Sequence, residues 1–192
     1  MTANDAFAWG QKLPTLTGGS LHLRWLEKRD IPALFDVFGD EEVTRYCGVP
    51  QLVALSGAEE LLAQIRTGFR ERSLFQWGIA LAETDEVIGT CTLFHFSWTH
   101  RRCELGFALS KKRWGLGDGG RAARTVLNFA FERLGLHRVE ADADPRNARS
   151  LALLERLGFR REGLLRERYI VNGEVQDGVM LGLLRSEFRR LP

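Results

Sequence analysis

The sequence predicts a mixed α/β layer fold, and three observations carry the prediction. From Leu74 the apolar period drops to two, with Phe75, Trp77, Ile79 and Leu81 on one face, whereas Leu61, Leu62, Ile65 and Phe69 just before it repeat at helical spacing. Three strands then follow at about 74–82, 86–97 and 101–109, and their short connections make them antiparallel neighbours. Beyond them helix and strand alternate, as in a sheet covered by helices.

Taken in order, residues 1–20 show no period and end in "TGGS", which reads as an N-terminal arm; residues 21–192 then form one domain. "LHLRWL" alternates through Leu21, Leu23 and Trp25 and predicts the first strand. Asp30 and Pro32 start a helix that Gly39 stops, and "DEEVTRYCG" offers a short second one. Ser56 and Glu59 have the spacing of a capping box ahead of the helix carrying Leu61 to Phe69. Turns are expected at Glu83–Asp85 and Ser97–His100. After a glycine-rich loop a helix runs to Leu134 and stops at Gly135, and "HRVEADAD" is a strand alternating Val139, Ala141 and Ala143. Asn147 caps a further helix that ends at Gly158, and two strands, at about 159–169 and 176–184, close the chain around "VNGE". There is no internal repeat and no linker long enough to separate domains.

A chain of 192 residues with 44% apolar and 27% charged residues suits one globular domain. The net charge of +2 creates no global field for nucleic acid, and this weighs against reading the arginine-rich "RLGFRREGLLRER" as an RNA surface. Cys47, Cys91 and Cys103 lack metal-site spacing and read as reduced core residues. No basic start precedes an apolar run, and no 18 consecutive apolar residues occur, so no membrane partner and a cytoplasmic location are expected. His22, His100 and His137 offer no metal spacing, and His95, alternating with Leu93 and Cys91, reads as structural; no metal is implied.

"KKRWGLGDGGRAA", Lys111 to Ala123, places four glycines in six residues between a strand and a helix. Such a turn gathers free backbone N–H groups and the positive end of a helix dipole, and its glycines admit close approach of a ligand; phosphate or pyrophosphate is the natural guest. The spacing fits neither the nucleotide-hydrolase loop nor the dinucleotide fingerprint. On the loop alone, a surface turn that merely lets a helix begin stays equally open.

From Glu104 onward "ELGFALSKKRWGLGDGGRAARTVLNFAFERLGLHRVEADADPRNARSLALLERLGFRREG" resembles the GCN5-related N-acetyltransferase (GNAT) superfamily, and within it the branch that acetylates ribosomal-protein N-termini. "WGLGDG" fits that family's acetyl-CoA loop with Trp in the first place, and Asn147, Ser150 and "LLERLGF" fit its second signature. "LRWLEKRDIPALFDVFGDEEVTRYCG" and "DGVMLGLLRSEF" extend the likeness over nearly the whole chain. The resemblance implies a mostly antiparallel twisted sheet, splayed at the cofactor site, with helices on both faces and acetyl-CoA as co-substrate. Trp114, Gly115, Leu116, Gly117, Asp118, Gly119, Gly120 and Arg121 would hold the pyrophosphate, with the main contacts from Leu116 to Arg121. Phe107, Ala108 and Leu109 would line the gap for the pantetheine arm, Asn147 would hydrogen-bond that arm, and Ser150 would lie beside it. Two departures stand out: Gly120 and Arg121 replace the branch's usual hydroxyl and acid, and Asp118 puts a carboxylate next to a diphosphate site.

Acetyl transfer to an amine needs a neutral amine, a stabilised carbonyl oxygen and a proton for the leaving thiolate. An α-amine near pKa ~8 is partly neutral at physiological pH, whereas a lysine near ~10.4 carries a handicap of roughly 3 kcal/mol. Glu104 shares one face of its strand with Gly106 and Ala108, small residues that leave room for a ligand, and matches the position of the family's general base; a solvated glutamate paired with Arg102 is the alternative. The backbone N–H of Ala108 would polarise the thioester. Leu154 stands where many members carry an acidic tyrosine, so the resemblance offers Ser150 as the acid, although Asn147 and Ser150 also suit a plain helix start. Tyr169 is a candidate for lining the acceptor site or for packing, and Asp177 for the last strand's acid or a turn. The acceptor amine, a protein N-terminus or a small molecule, is chosen by loops around 28–60 and 168–177. Polyamine or antibiotic acetylation, a non-catalytic acyl-CoA-binding role and a homodimer all stay open.

Overall fold

A change of apolar period sets where strands stop and helices begin, and the observed elements follow it closely. The structure, a computed structural model, describes residues 10–171 and 173–188. In chain order it has β1 (Leu16–Gly18), β2 (Leu21–Arg24), α1 (Ile31–Phe38), α2 (Glu41–Thr44), α3 (Leu55–Arg70), β3 (Leu74–Leu81), β4 (Val87–Ser97) and β5 (Arg102–Leu109). There follow α4 (Asp118–Asn128), β6 (Arg138–Ala143), α5 (Ala148–Leu157), β7 (Arg160–Val171) and β8 (Glu174–Leu184). The strands form one sheet in the order β1-β2-β3-β4-β5-β6-β8-β7, antiparallel throughout except for β5 with β6. This is the mixed α/β arrangement expected.

Period-two alternation divides the sheet's faces. Phe75, Trp77, Ile79, Cys91, Leu93, Cys103, Leu105, Val139 and Ala141 point to one side, where they bury against Ala122, Ala123, Val126 and Leu127 of α4 and Leu151, Leu154 and Leu157 of α5. On the other side Leu26, Ala80 and Val87 meet Leu34 of α1 and Ala58, Leu62 and Ile65 of α3. Five residues, Phe129–Arg133, extend α4 as one π turn before Gly135, at φ +65°, ends the run.

Several details differ from expectation. Residues 16–18 of the predicted arm pair with β2, Leu13 is buried, and Trp77 Nε1 donates to the Pro14 carbonyl at 2.9 Å; residues 1–9 of the arm lie outside the described residues, as do Asn172 of "VNGE" and 189–192 of the predicted domain. Ser56 makes no capping box, because α3 starts at Leu55 with Ala54 as its cap, so Ser56 falls inside the first turn. Cys91 and Cys103 are buried free thiols, but Cys47 is exposed, since the turn after α2 leaves it outside both cores. Asp30 stands at the start of α1 as predicted, yet its side chain does not cap that helix. It accepts from Arg24 Nη1 (2.8 Å) and Nη2 (2.9 Å) and from the Glu27 amide (2.7 Å).

Arg24 also donates from Nε to Asp85 at 2.6 Å, and Asp85 takes His22 and Arg29 as well, so this turn residue ties β2 to the β3–β4 connection. The hydrogen bond from His22, then those from Arg24 and Arg29, lower the Asp85 carboxyl to about 2. An unfolded aspartate titrates near ~3.9. The stabilisation is therefore present above about pH 4 and is lost as pH falls through about 2. Thermal midpoints measured from pH 5 downward should fall across that window, and Asp85→Asn should flatten the fall.

Candidate active site

Parallel pairing between β5 and β6 lasts for only three residue pairs, Arg102↔Arg138, Cys103↔Val139 and Glu104↔Glu140. From there β5 stays with β4 as far as Gly89↔Leu109, while β6 stays with β8 as far as Ala143↔Val179. The strands splay, and the β5 edge from Leu105 to Leu109 faces a gap. This is the gap expected at Phe107, Ala108 and Leu109, with one correction. Ser110 N–H donates to the Ile88 carbonyl, and bonded residues alternate along an antiparallel ladder. Ala108, two residues back and opposite Thr90, therefore turns its N–H to β4. The amides facing the gap are those of Phe107 and Leu109.

At the end of β5 the glycine loop leads into α4. Gly115 (φ +78°) and Gly117 (φ +82°) take left-handed conformations that a side chain would strain. Gly117 is the helix N-cap and supplies no side-chain acceptor, so the N–H groups of Asp118, Gly119 and Gly120 stay free of partners within the helix. Arg121 N–H is the first to bond back, to the Gly117 carbonyl. Gly119 lets the helix close on Leu109 and Leu153, while the space over Gly115 and Gly120 is open. Trp114 Nε1 donates to the Leu109 carbonyl at 3.0 Å, and Arg149 lies over its ring.

Asp118 does not face the helix mouth. Its side chain is fully buried between Arg113, whose Nε donates at 2.8 Å, and Arg121. Arg121 reaches the Leu116 carbonyl as well. The two unusual residues at this loop are thus partners: the carboxylate turns inward and two guanidinium groups offset it, leaving the amides for an anion.

Glu104, Gly106 and Ala108 share the face toward α1 and α2. The Glu104 side chain is 11% exposed, and its Oε1 lies 3.1 Å from His95 Nδ1. Room above Gly106 is partly taken by the Phe94 ring, 3.2 Å from where a Cβ would stand. His95 is not on the Leu93 and Cys91 face. A register shift between Phe94 and Ser97, with His95 at φ +50°, moves it to the Glu104 side. Arg102 does not pair with Glu104; with Arg138 it holds Glu140.

One step along β6, Asp142 was missed by the sequence reading, which followed Val139, Ala141 and Ala143; the complementary alternation of Glu140, Asp142 and Asp144 was the available signal. Its Oδ2 accepts from Tyr169 Oη (2.8 Å) and Arg168 Nε (3.2 Å), while its buried Oδ1 has no hydrogen-bond partner. Burial, and then the bond to this carboxylate, push the Tyr169 phenol up to about 12. Asp177, inside β8 rather than at its start, accepts the N–H of Glu167, at φ +53° in the β7 bulge before Tyr169. A cleft of about 380 Å³ lies between α2 and the β7–β8 hairpin, lined by Glu41, Arg45, Val171, Glu174 and Gln176. These residues belong to the two loop regions expected to choose the acceptor.

Asn147 caps α5, its Oδ1 accepting the Ser150 N–H at 3.1 Å, as the spacing predicted. Ser150 sits on that first turn, and Leu153, one turn on, packs at Gly119. Leu154 is core. Among the described residues no group of His, Cys, Asp or Glu is placed to hold a metal ion, and no helix is long and apolar enough to cross a membrane.

Residues 20–160 match the family model described as an acetyltransferase (GNAT) domain. The protein named "Uncharacterized N-acetyltransferase p20" of Bacillus licheniformis is 34% identical over 176 residues, 92% of this chain and 99% of that protein. The ribosomal protein uS5 alanine N-acetyltransferase of Escherichia coli (strain K12) is 28% identical over 134 residues, 69% of each chain. Among solved structures, the spermidine N-acetyltransferase of Vibrio cholerae in complex with CoA and spermine superposes with a TM-score of 0.78 at 23% identity, over 88% of this chain and 97% of that one.

Proposed function

We propose, since this chain belongs to the GNAT acetyltransferase family and is an N-acetyltransferase, that it acetylates a single primary amine by direct attack, with Glu104 taking the amine's proton. The observation that carries the reading is the splay: the unpaired β5 edge runs to an uncapped helix start, with Glu104 at its closed end.

The site suits coenzyme A. Its pyrophosphate would meet the free N–H groups of Asp118, Gly119 and Gly120, with Trp114, Gly115, Leu116, Gly117 and Arg121 shaping the mouth. The inward turn of Asp118 removes the repulsion that its sequence position suggested. The pantetheine arm would lie along Phe107 and Leu109, near Asn147. Bound there, acetyl-CoA supplies an activated acetyl thioester.

The chain's own residues do the remainder. The N–H groups of Phe107 and Leu109 present hydrogen bonds to an oxygen in the gap, the role first assigned to Ala108. Glu104, a carboxylate sheltered from water, accepts a proton from the amine. Ser150, on the first turn of α5, is the proton donor on the leaving-group side.

A peptide α-amine is the favoured acceptor. It is already partly neutral, and most acids near the cleft are tied internally: Arg146 holds Asp144 and Glu174, and Arg168 holds Asp142, while Glu41 shares the lining with Arg45. Little net negative charge remains to attract a polycation. The Escherichia coli relative acts on a ribosomal-protein alanine, and this supports the same class.

Calorimetric titration with acetyl-CoA, beside ATP and NAD, tests the binding half; saturation by acetyl-CoA alone is expected, and no binding would overturn the reading. Turnover measured with Ala- and Ser-initiated peptides against spermidine tests the acceptor. Faster acetylation of spermidine would overturn the peptide assignment, and binding without turnover of any amine would make the protein an acyl-CoA binder.

A further inference from the structure

We propose that His95 is a positioning residue that holds the Glu104 carboxylate through Nδ1 and, by its own protonation, sets the pH below which that carboxylate stops working as a base. The proposal rests on the reading of Glu104 as the base.

Three linked features meet at this residue. An unbroken β4 would bury His95 with Cys91 and Leu93; the register shift between Phe94 and Ser97 instead sends two successive side chains, Phe94 and His95, toward the Glu104 face, and pairing resumes at Ser97↔Arg102. The strand therefore continues past the irregularity, which re-aims one side chain and ends nothing. His95 takes φ +50° to do so, a left-handed conformation that few residues other than glycine adopt. Its Nδ1 then lies 3.1 Å from Glu104 Oε1, and among the described residues it is the carboxylate's only side-chain hydrogen-bond partner.

Exposure gives the pair its direction. The imidazole is 68% exposed while the carboxylate is 11% exposed, so the ring connects a sheltered base to solvent. Phe94 packs on the ring at 4.7 Å between centroids and covers Gly106, walling one side. The charged groups around the pair are themselves paired. On β5 and β6, Arg102 and Arg138 pair with Glu140. Asp142 is held by Arg168 and Tyr169. Burial, then the Glu104 and Glu140 charges, push the Cys103 thiol well up, so it stays protonated. An imidazole is the side chain that changes charge near neutrality.

With a neutral ring, Nδ1–H donates to Oε1 and leaves Oε2 free to take the amine's proton. With an imidazolium, a positive charge stands against the carboxylate and lowers its proton affinity, so the base weakens.

The test is the pH profile of kcat at saturating acetyl-CoA and acceptor for wild type, His95→Ala, His95→Asn and Glu104→Gln. His95→Ala should lower kcat by about tenfold on the neutral plateau and lose the acid limb, with KM for acetyl-CoA unchanged. His95→Asn keeps an amide donor near the place of Nδ1 and is a residue type that tolerates positive φ. It should recover most of that loss while the acid limb of the profile disappears. An unchanged acid limb in His95→Asn overturns the proposal even if His95→Ala fails to fold, and so does a wild-type rate in His95→Ala. Full activity in Glu104→Gln would instead remove the base reading, and this proposal with it.

Discussion

Glu104→Gln should lower turnover by at least about a hundredfold while acetyl-CoA still binds. General-base catalysis contributes on the order of 10²–10⁴ in rate, and the side chain is placed to supply it. It sits where β5 and β6 begin to part, on the face opposite the α4 core, sheltered from water and held by one hydrogen bond. Glutamine has the same shape, so it opens no cavity, and the phosphate end of the site, several residues along at the α4 start, keeps its amides. Steady-state kinetics on the variant beside a calorimetric acetyl-CoA titration separates the two effects. A loss below about fivefold would leave Glu104 as a structural partner of His95 and nothing more.

Asp30→Ala should cost about 3–5 kcal/mol of folding stability, the usual penalty for stripping one partner from a buried ion pair. The Arg24 and Asp30 side chains are 11% and 6% exposed. Removing the carboxylate leaves the Glu27 amide without its acceptor and strips Arg24 Nη1 and Nη2 of their charged partner, leaving them only the Trp25 and Asp85 carbonyls, at 3.1 and 3.0 Å, while Nε keeps the Asp85 carboxylate, itself a third exposed. At about 2–4 °C per kcal/mol for a chain of this length, the thermal midpoint should drop by on the order of 10 °C. Asp30→Asn, which keeps the acceptor oxygen, should lose less. A midpoint within about 2 °C of wild type would mean that Arg24 re-pairs fully with Asp85.

What sequence could and could not reveal divides along the range of the interaction. Local signals were legible: the period change at Leu74, the Asn147 cap, the Gly158 stop at φ +102°, and the glycine loop before α4. Features set by pairing partners far along the chain were not. The displacement of His95 depends on how β4 and β5 align, and alternation alone put it on the wrong face. Amide direction at Ala108 follows from its pairing with Thr90 and not from its own identity. Asp118 looked like a misplaced charge because its two arginines, though near in sequence, meet it only after the loop folds. Ser56 carried a true capping pattern that α3 overran by starting at Leu55, and β1 was too short to show a period.

The short parallel contact between β5 and β6 has a mechanical meaning. Three residue pairs are all that join β1–β5 to β6–β8 within the sheet, so the molecule is two half-sheets meeting at a narrow seam. Helices α4 and α5, packed on each other and across both halves, act as the splint. Any molecule that hydrogen-bonds along the β5 edge and reaches β6 would serve as a temporary ninth strand and stiffen the seam. Its binding free energy would then also count as cohesion between the two halves.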